Sequence, residues 1–194
     1  MGRVRNPSRG RDVFTSNAFL VPGERTVLVD AGANYDVVAA VREHVETLDA
    51  VVLTHTHDDH VANVPALRDA FDAETWGFDA DHEHVDHAIA DGDRLTVGDH
   101  AYEALHTPGH KDDHLVFRSP AAGVAFVGDL VFANGSFGRT DLAEGDSRAL
   151  VESIERLLDA LDEADDVLYT GHGPAITDPL AGVEASLRAA RFNA

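Results

Sequence analysis

Thr54-His55-Thr56-His57-Asp58-Asp59-His60 follows directly on the apolar run Ala50-Val51-Val52-Leu53. A short, continuous apolar run rich in valine reads as a buried strand. Three imidazoles and two carboxylates at its end read as metal ligands delivered to a sheet edge. His55 and His57 are two residues apart, so in an extended or turning backbone both reach one ion. Asp59 and His60 lie just beyond, where the chain turns, and can face a second ion. Imidazole mixed with hard oxygen, and no thiol, suits zinc, iron or manganese. The chain has 12 histidines and 35 acidic residues, so some clustering arises from composition alone. A solvated acidic loop, however, would leave the rest of the chain without matching ligands.

Matching ligands are present. Thr107-Pro108-Gly109-His110 follows the strand-like Glu103-Ala104-Leu105. Gly128-Asp129 follows Gly123-Val124-Ala125-Phe126-Val127, and Thr170-Gly171-His172-Gly173 follows Val167-Leu168-Tyr169. Each is an apolar strand, a small residue, then a ligand-type side chain. Glycine lets the backbone turn sharply there and approach an ion closely.

These residues resemble the five motifs of the metallo-β-lactamase superfamily, from about Phe14 to the C-terminus. Asp30, ending Val27-Leu28-Val29-Asp30, matches the first motif, and His55-x-His57-x-Asp59-His60 the second. His110, Asp129 and His172 match the third, fourth and fifth. The resemblance implies that His55, His57 and His110 hold a first metal. It implies that Asp59, His60 and His172 hold a second, with Asp129 bridging and Asp30 fixing the ligand loop by hydrogen bonds. It further implies two divalent cofactor ions, zinc first, with iron or manganese as alternatives. Asp59 would also be catalytic, orienting the nucleophile.

Phe126-Val127-Gly128-Asp129-Leu130-Val131-Phe132 and the following Gly138-Arg139-Thr140-Asp141 resemble the glyoxalase II (hydroxyacylglutathione hydrolase) and persulfide dioxygenase branch. Asp129 and the absence of cysteine count against the main zinc β-lactamases, which usually carry Cys or Ser at the bridging position. Twenty-two residues follow His172, enough for one helix, so the chain resembles short, single-domain glyoxalase II-like proteins. The implied activity is hydrolysis of a 2-hydroxyacyl thioester of a small thiol by a metal-bridging hydroxide. The alternative is a mono-iron persulfide dioxygenase using the His55, His57/His110 and Asp129 side of the pattern. A lactonase or another ester or amide hydrolase is a lesser variant, and an inactive binding protein is disfavoured by the intact motifs. Arg139 is a candidate for the substrate carboxylate, weighed equally against an ion pair with Asp141 or Asp146.

Apolar periodicity predicts strands at Val13 to Val21, Thr26 to Asp30, Ala50 to Thr54 and Trp76 to Phe78, with helices at Tyr35 to Thr47 and His60 to Ala70. The second half reads as strands at His100 to His106, Leu115 to Arg118, Val124 to Gly128 and Val167 to Thr170. Helices are predicted at Ser147 to Leu161 and Leu180 to Arg191. The expected fold class is α/β, a four-layer αββα sandwich of two mixed sheets flanked by helices. Residues 1–12, with Arg3, Arg5, Arg9 and Arg11, are expected as a flexible basic tail, and 13–194 as a single domain.

The formal charge is −20, and Lys111 is the only lysine. Such an acidic surface repels itself unless salt screens it, which suggests a halophile. It makes nucleic acid a poor partner. No signal peptide or transmembrane run is evident, and the absence of cysteine fits a cytoplasmic protein. The expected partner is a small-molecule thioester, with no nucleic acid and no membrane; a homo-oligomer is a further expectation. His106 and His114 read as structural, Lys111 as surface decoration, and His82, His84 and His87 as a solvated cluster.

Overall fold

The computed structural model describes residues 4–162 and 167–193. Arg3 of the expected tail, and Glu163, Asp165 and Asp166 of an acidic run, lie outside the described residues. The described residues form two compact units, one up to Ile89 together with Leu95–Tyr102, the other Ala90–Arg94 together with those from Glu103 onward.

The first unit carries a five-stranded sheet in the order β1-β2-β3-β4-β5. Its strands are β1 (Phe19–Val21), β2 (Val27–Val29), β3 (Ala50–Val52), β4 (Glu74–Gly77) and β5 (His87–Ala88). β1 pairs antiparallel with β2, and the remaining pairs are parallel. β2 and β3 are buried on both faces, which is why they read as unbroken valine-rich runs rather than alternating ones. Leu20, Leu28, Val51 and Leu53 share a core with Val37 and Val41 of α1 (Val37–Arg42) and Val64 and Leu67 of α3 (Val64–Phe71).

The predicted helices of this unit are shortened or divided. α1 is capped by Asp36, whose carboxylate accepts from Ala39 N at 2.9 Å, and the helix ends at Arg42, where exposed Glu43 and His44 turn the chain toward buried Leu48. The helix expected from His60 to Ala70 is two helices, α2 (Asp58–Val61) and α3. Pro65, in the first turn of α3, has no N–H to continue α2 and instead starts a new helix. The strand expected from Val13 is strand only at Phe19–Val21. Within the segment read as a basic tail, Arg5 and Leu20 exchange backbone hydrogen bonds of 2.8 and 2.9 Å, and Ser8 is buried.

The second sheet has the order β10-β9-β8-β7-β6. Its strands are β6 (Arg94–Val97), β7 (His100–His106), β8 (Leu115–Ser119), β9 (Val124–Gly128) and β10 (Val167–Thr170). The division between units passes through β6 and β7. β7, β8 and β9 are antiparallel neighbours, while β10 runs parallel to β9. α4 (Ser147–Ala160) presents Leu150, Ile154 and Leu157, spaced for one helical face, to Val116, Val127 and Leu168. α5 (Pro179–Asn193) adds Val183, Leu187 and Ala190 to the same core. Two mixed sheets with flanking helices are the α/β class that the sequence predicts.

Candidate metal centre

In the first unit, the site grows from the ends of β2 and β3. Asp30 N donates to Val52 O at 2.9 Å, and one residue later the two strands part. Asp30 is buried and holds a positive φ of 58°, a conformation that costs a non-glycine residue energy and recurs at functional sites. Its carboxylate serves three donors. Oδ1 accepts from Thr54 N at 2.8 Å, and Oδ2 accepts from Thr54 Oγ1 at 2.8 Å and His60 Nδ1 at 2.9 Å.

These bonds fix the histidine tautomers. A carboxylate can only accept, so His60 carries its proton on Nδ1 and its lone pair on Nε2. Thr54 Oγ1 has one proton and gives it to Asp30. The contact of Thr54 Oγ1 with His55 Nδ1 at 3.1 Å therefore takes its proton from His55, again leaving Nε2 basic. His55 Nε2 stands 3.1 Å from His57 Nδ1. Two nitrogens bound to one tetrahedral ion at ~2.0–2.1 Å would lie ~3.3 Å apart, so the spacing fits a shared ion. Asp59 lies in the first turn of α2, and its carbonyl accepts from Ser16 N at 3.1 Å.

In the second unit, three strand ends supply the groups. His110 Nδ1 donates to Arg139 O at 2.8 Å; a carbonyl only accepts, so Nε2 is again the basic nitrogen. Asp129 Oδ2 stands 3.5 Å from His110 Nε2 and 3.5 Å from His172 Nε2. Both distances exceed an ordinary N–H···O bond of ~2.7–3.2 Å, and both suit a carboxylate and an imidazole sharing an ion. Asp129 itself is held from behind. Its N–H donates to His114 Nε2 at 3.1 Å, and His114 Nδ1 meets Thr107 Oγ1 at 2.8 Å.

Two glycines make this packing feasible. A Cβ on Gly109 would lie 2.3 Å from Leu150 N, and one on Gly138 would lie 2.1 Å from Asp129 O. The loop carrying His110 is thus pressed on the start of α4, where Asp146 N donates to Gly109 O at 2.8 Å.

Other sequence candidates fall elsewhere. Arg139 is exposed and doubly bonded to Asp141 at 2.7 and 2.7 Å. That hydrogen bonding raises the Arg139 pKa and lowers the Asp141 pKa to about 2. Lys111, expected at the surface, is buried and paired with Glu144 at 2.6 Å, Asp112 at 3.4 Å and Asp113 at 3.7 Å. Burial pushes its pKa down, but the Glu144 hydrogen bond and the three carboxylates outweigh it, so the net shift is upward. His106 Nε2 bonds Asp112 O at 2.7 Å, a structural role. The His84 N–H donates to His82 Nδ1, whereas the His87 ring packs at a tilt against Trp76. Among the described residues these three form no ligand group.

The sequence reading undervalued His114 and the threonines. A signal was available: Thr54, Thr107 and Thr170 each stand buried at a strand end, one to three residues ahead of a ligand candidate. Thr170 Oγ1 is within bonding distance of His172 O at 2.8 Å and Pro174 O at 3.1 Å.

The pattern of the metallo-beta-lactamase superfamily matches residues 11–172 of this chain. The chain belongs to the metallo-β-lactamase superfamily. It is 41% identical over 162 residues to a protein named hydroxyacylglutathione hydrolase from Cereibacter sphaeroides, covering 80% of this chain and 61% of that one. The chain thus spans about three-fifths of that relative's length. Among solved structures, BLEG-1 B3 metallo-beta-lactamase superposes with a TM-score of 0.78 at 25% identity, covering 98% of this chain and 99% of that one. TTHA1623 in a di-iron-bound form superposes with a TM-score of 0.74 at 30% identity, covering 97% and 96%. Within this superfamily, these imidazole and carboxylate groups fit a dinuclear metal site.

Proposed function

We propose that this chain is a metal-dependent thioester hydrolase of the glyoxalase II type, cleaving a 2-hydroxyacyl thioester of a small thiol. In this reading His55, His57 and His110 would hold one ion, Asp59, His60 and His172 would hold the other, and Asp129 would serve both. The observation that carries it is Asp129 Oδ2, 3.5 Å from the nitrogens of both His110 and His172. The name of the Cereibacter relative supports the reaction class, and the two irons of TTHA1623 support the metal count without fixing the element here.

When bound, two divalent ions would supply Lewis acidity, ionising a shared water near neutral pH and polarising the thioester carbonyl. The protein supplies the rest. Asp30 keeps His60, and through Thr54 His55, in the tautomer that presents Nε2. Arg139 O does the same for His110, and His114 holds the Asp129 backbone. Asp59, set at the first turn of α2, would orient the attacking oxygen. The leaving thiolate, with a parent pKa of about 8.5, departs without a strong general acid. The acidic composition supports work in a salt-rich cytoplasm, with the thioester as the partner.

Metal content per chain, measured by elemental mass spectrometry beside thioester turnover, tests this reading. Two ions with thioesterase activity are expected. One iron per chain with oxygen uptake on a persulfide would replace this reading by the mono-iron dioxygenase.

A further inference from the structure

Beside His172 the second unit holds a cavity of about 440 Å³, lined by Phe132, Ala133, Asn134, Ser136, Gly173 and Pro174. That is within the range of small-ligand pockets. Its wall is a built hairpin turn. Phe132 N donates to Ser136 O at 3.0 Å, Gly135 N donates to Phe132 O at 2.9 Å, and Val131 bridges Phe137. Ser186 Oγ on α5 donates to Ser136 O at 2.8 Å and anchors the turn to the core.

The chemistry of the wall is neutral. Among the described lining residues none is a lysine or arginine. The cations of the adjoining loops are committed to their own carboxylates, Arg139 to Asp141 and Lys111 to Glu144, Asp112 and Asp113. The Phe132 ring, 6.4 Å from that of His172, and Pro174 give apolar surface. The polar groups form one donor and one acceptor. Asn134 Oδ1 accepts from Ser136 N at 3.0 Å and Ser136 Oγ at 2.6 Å. Asn134 is therefore left with its Nδ2 donors to offer, and Ser136 Oγ with its lone pairs. A donor and an acceptor side by side match the C=O and N–H of an amide.

We propose that this cavity seats the tail of the substrate's thiol and selects a tail that is uncharged and amide-bearing rather than one carrying carboxylates. The assignment rests on the thioester hydrolase reading. An anionic tail would enter a pocket without a cation in a chain of formal charge −20, and that penalty weakens as salt screens it.

The test compares one acyl group on two thiols: lactoyl-glutathione, with two carboxylates and one ammonium, and lactoyl-N-acetylcysteamine, neutral with one amide. Steady-state kcat/KM is measured for both over the range of potassium chloride in which circular dichroism is unchanged. The neutral thioester is expected to lead by about tenfold at the lowest salt, with the gap narrowing as salt rises. Ala133→Lys, which adds a cation to the wall, is expected to move the ratio toward glutathione. Binding of the S-hexyl thioethers of the same two thiols, which cannot be hydrolysed, gives the same comparison without turnover. A preference for glutathione at every salt concentration, in turnover or in thioether binding, overturns the proposal while leaving the hydrolase reading standing. Hydrolysis of neither thioester, with the neutral thioether still bound better, overturns the hydrolase reading and supports the pocket.

Discussion

The two units supply their ligand candidates in opposite ways. In the first, His55, His57, Asp59 and His60 come from six consecutive residues at the end of one strand, and a single carboxylate, Asp30, orients two of the imidazoles. In the second, His110, Asp129 and His172 come from three strand ends spread over 63 residues. Their supports are a backbone carbonyl, a neutral histidine and two glycines under close packing. The first group is encoded locally, so its geometry depends on one turn and one buried acid. The second is encoded by the register of a sheet, so its geometry depends on the whole unit being folded.

The largest expected effect comes from the atom that stands between two imidazoles. Asp129→Ala should lower turnover by about a thousandfold or more and reduce bound metal from two ions per chain. Elemental mass spectrometry and the thioester assay read both. Normal metal content with a normal rate would break the bridging assignment.

Next come the supports, where the two units can be set against each other. Asp30→Ala and His114→Ala should each weaken metal binding by about 10- to 100-fold, measured by competition with a chelator. Asp30→Ala is expected nearer the upper figure, because Asp30 fixes His60 directly and His55 through Thr54, whereas His114 holds only the Asp129 backbone. Equal effects would mean that local and dispersed encoding are equally robust.

That contrast also explains what could be read from the sequence. The β2 and β3 runs, the His-x-His-x-Asp-His stretch and the α4 face were legible because they are local periodicities. The ligand candidates of the second unit stood out through the resemblance and the glycines beside them, and not through spacing. Three features were not read. Pro65 divides one predicted helix because its missing N–H cannot continue α2 and suits the first turn of a new helix, a cue present in the sequence. His114 became a support for Asp129 only through the pairing of β8 with β9. Lys111 is buried because three carboxylates, one of them Glu144 in a distant loop, converge on it.

A smaller effect is expected at Arg139, which the sequence offered as a substrate contact. Its guanidinium is exposed and donates through Nε and Nη2 to the two carboxylate oxygens of Asp141. Exposed pairs of this kind contribute little, so Arg139→Ala should change kcat/KM by less than about threefold. Its backbone carbonyl, which fixes His110, survives the substitution. A large rise in KM confined to carboxylate-bearing thioesters would instead restore the substrate role and count against the neutral pocket.

The smallest effect concerns how firmly the dispersed group rests on its helix. Asp146 caps α4 by accepting from Ala149 N at 3.0 Å and Arg148 N at 2.8 Å, and those bonds lower its pKa from 3.8. A carboxyl whose folded pKa lies below its unfolded value stabilises the fold fully above the unfolded pKa. The contribution is lost as pH falls through the folded value. Asp146→Ala should therefore lower the melting temperature at neutral pH, and the deficit should shrink once pH drops below 3.8. Asp146→Asn keeps an accepting oxygen and should recover most of the loss at neutral pH. The same backbone donates to Gly109 O beside His110, and that N–H remains in both variants. Metal affinity should accordingly change less than melting temperature. If Asp146→Ala weakened metal binding as strongly as Asp30→Ala, the second group would depend on its helix cap as much as the first depends on its buried acid.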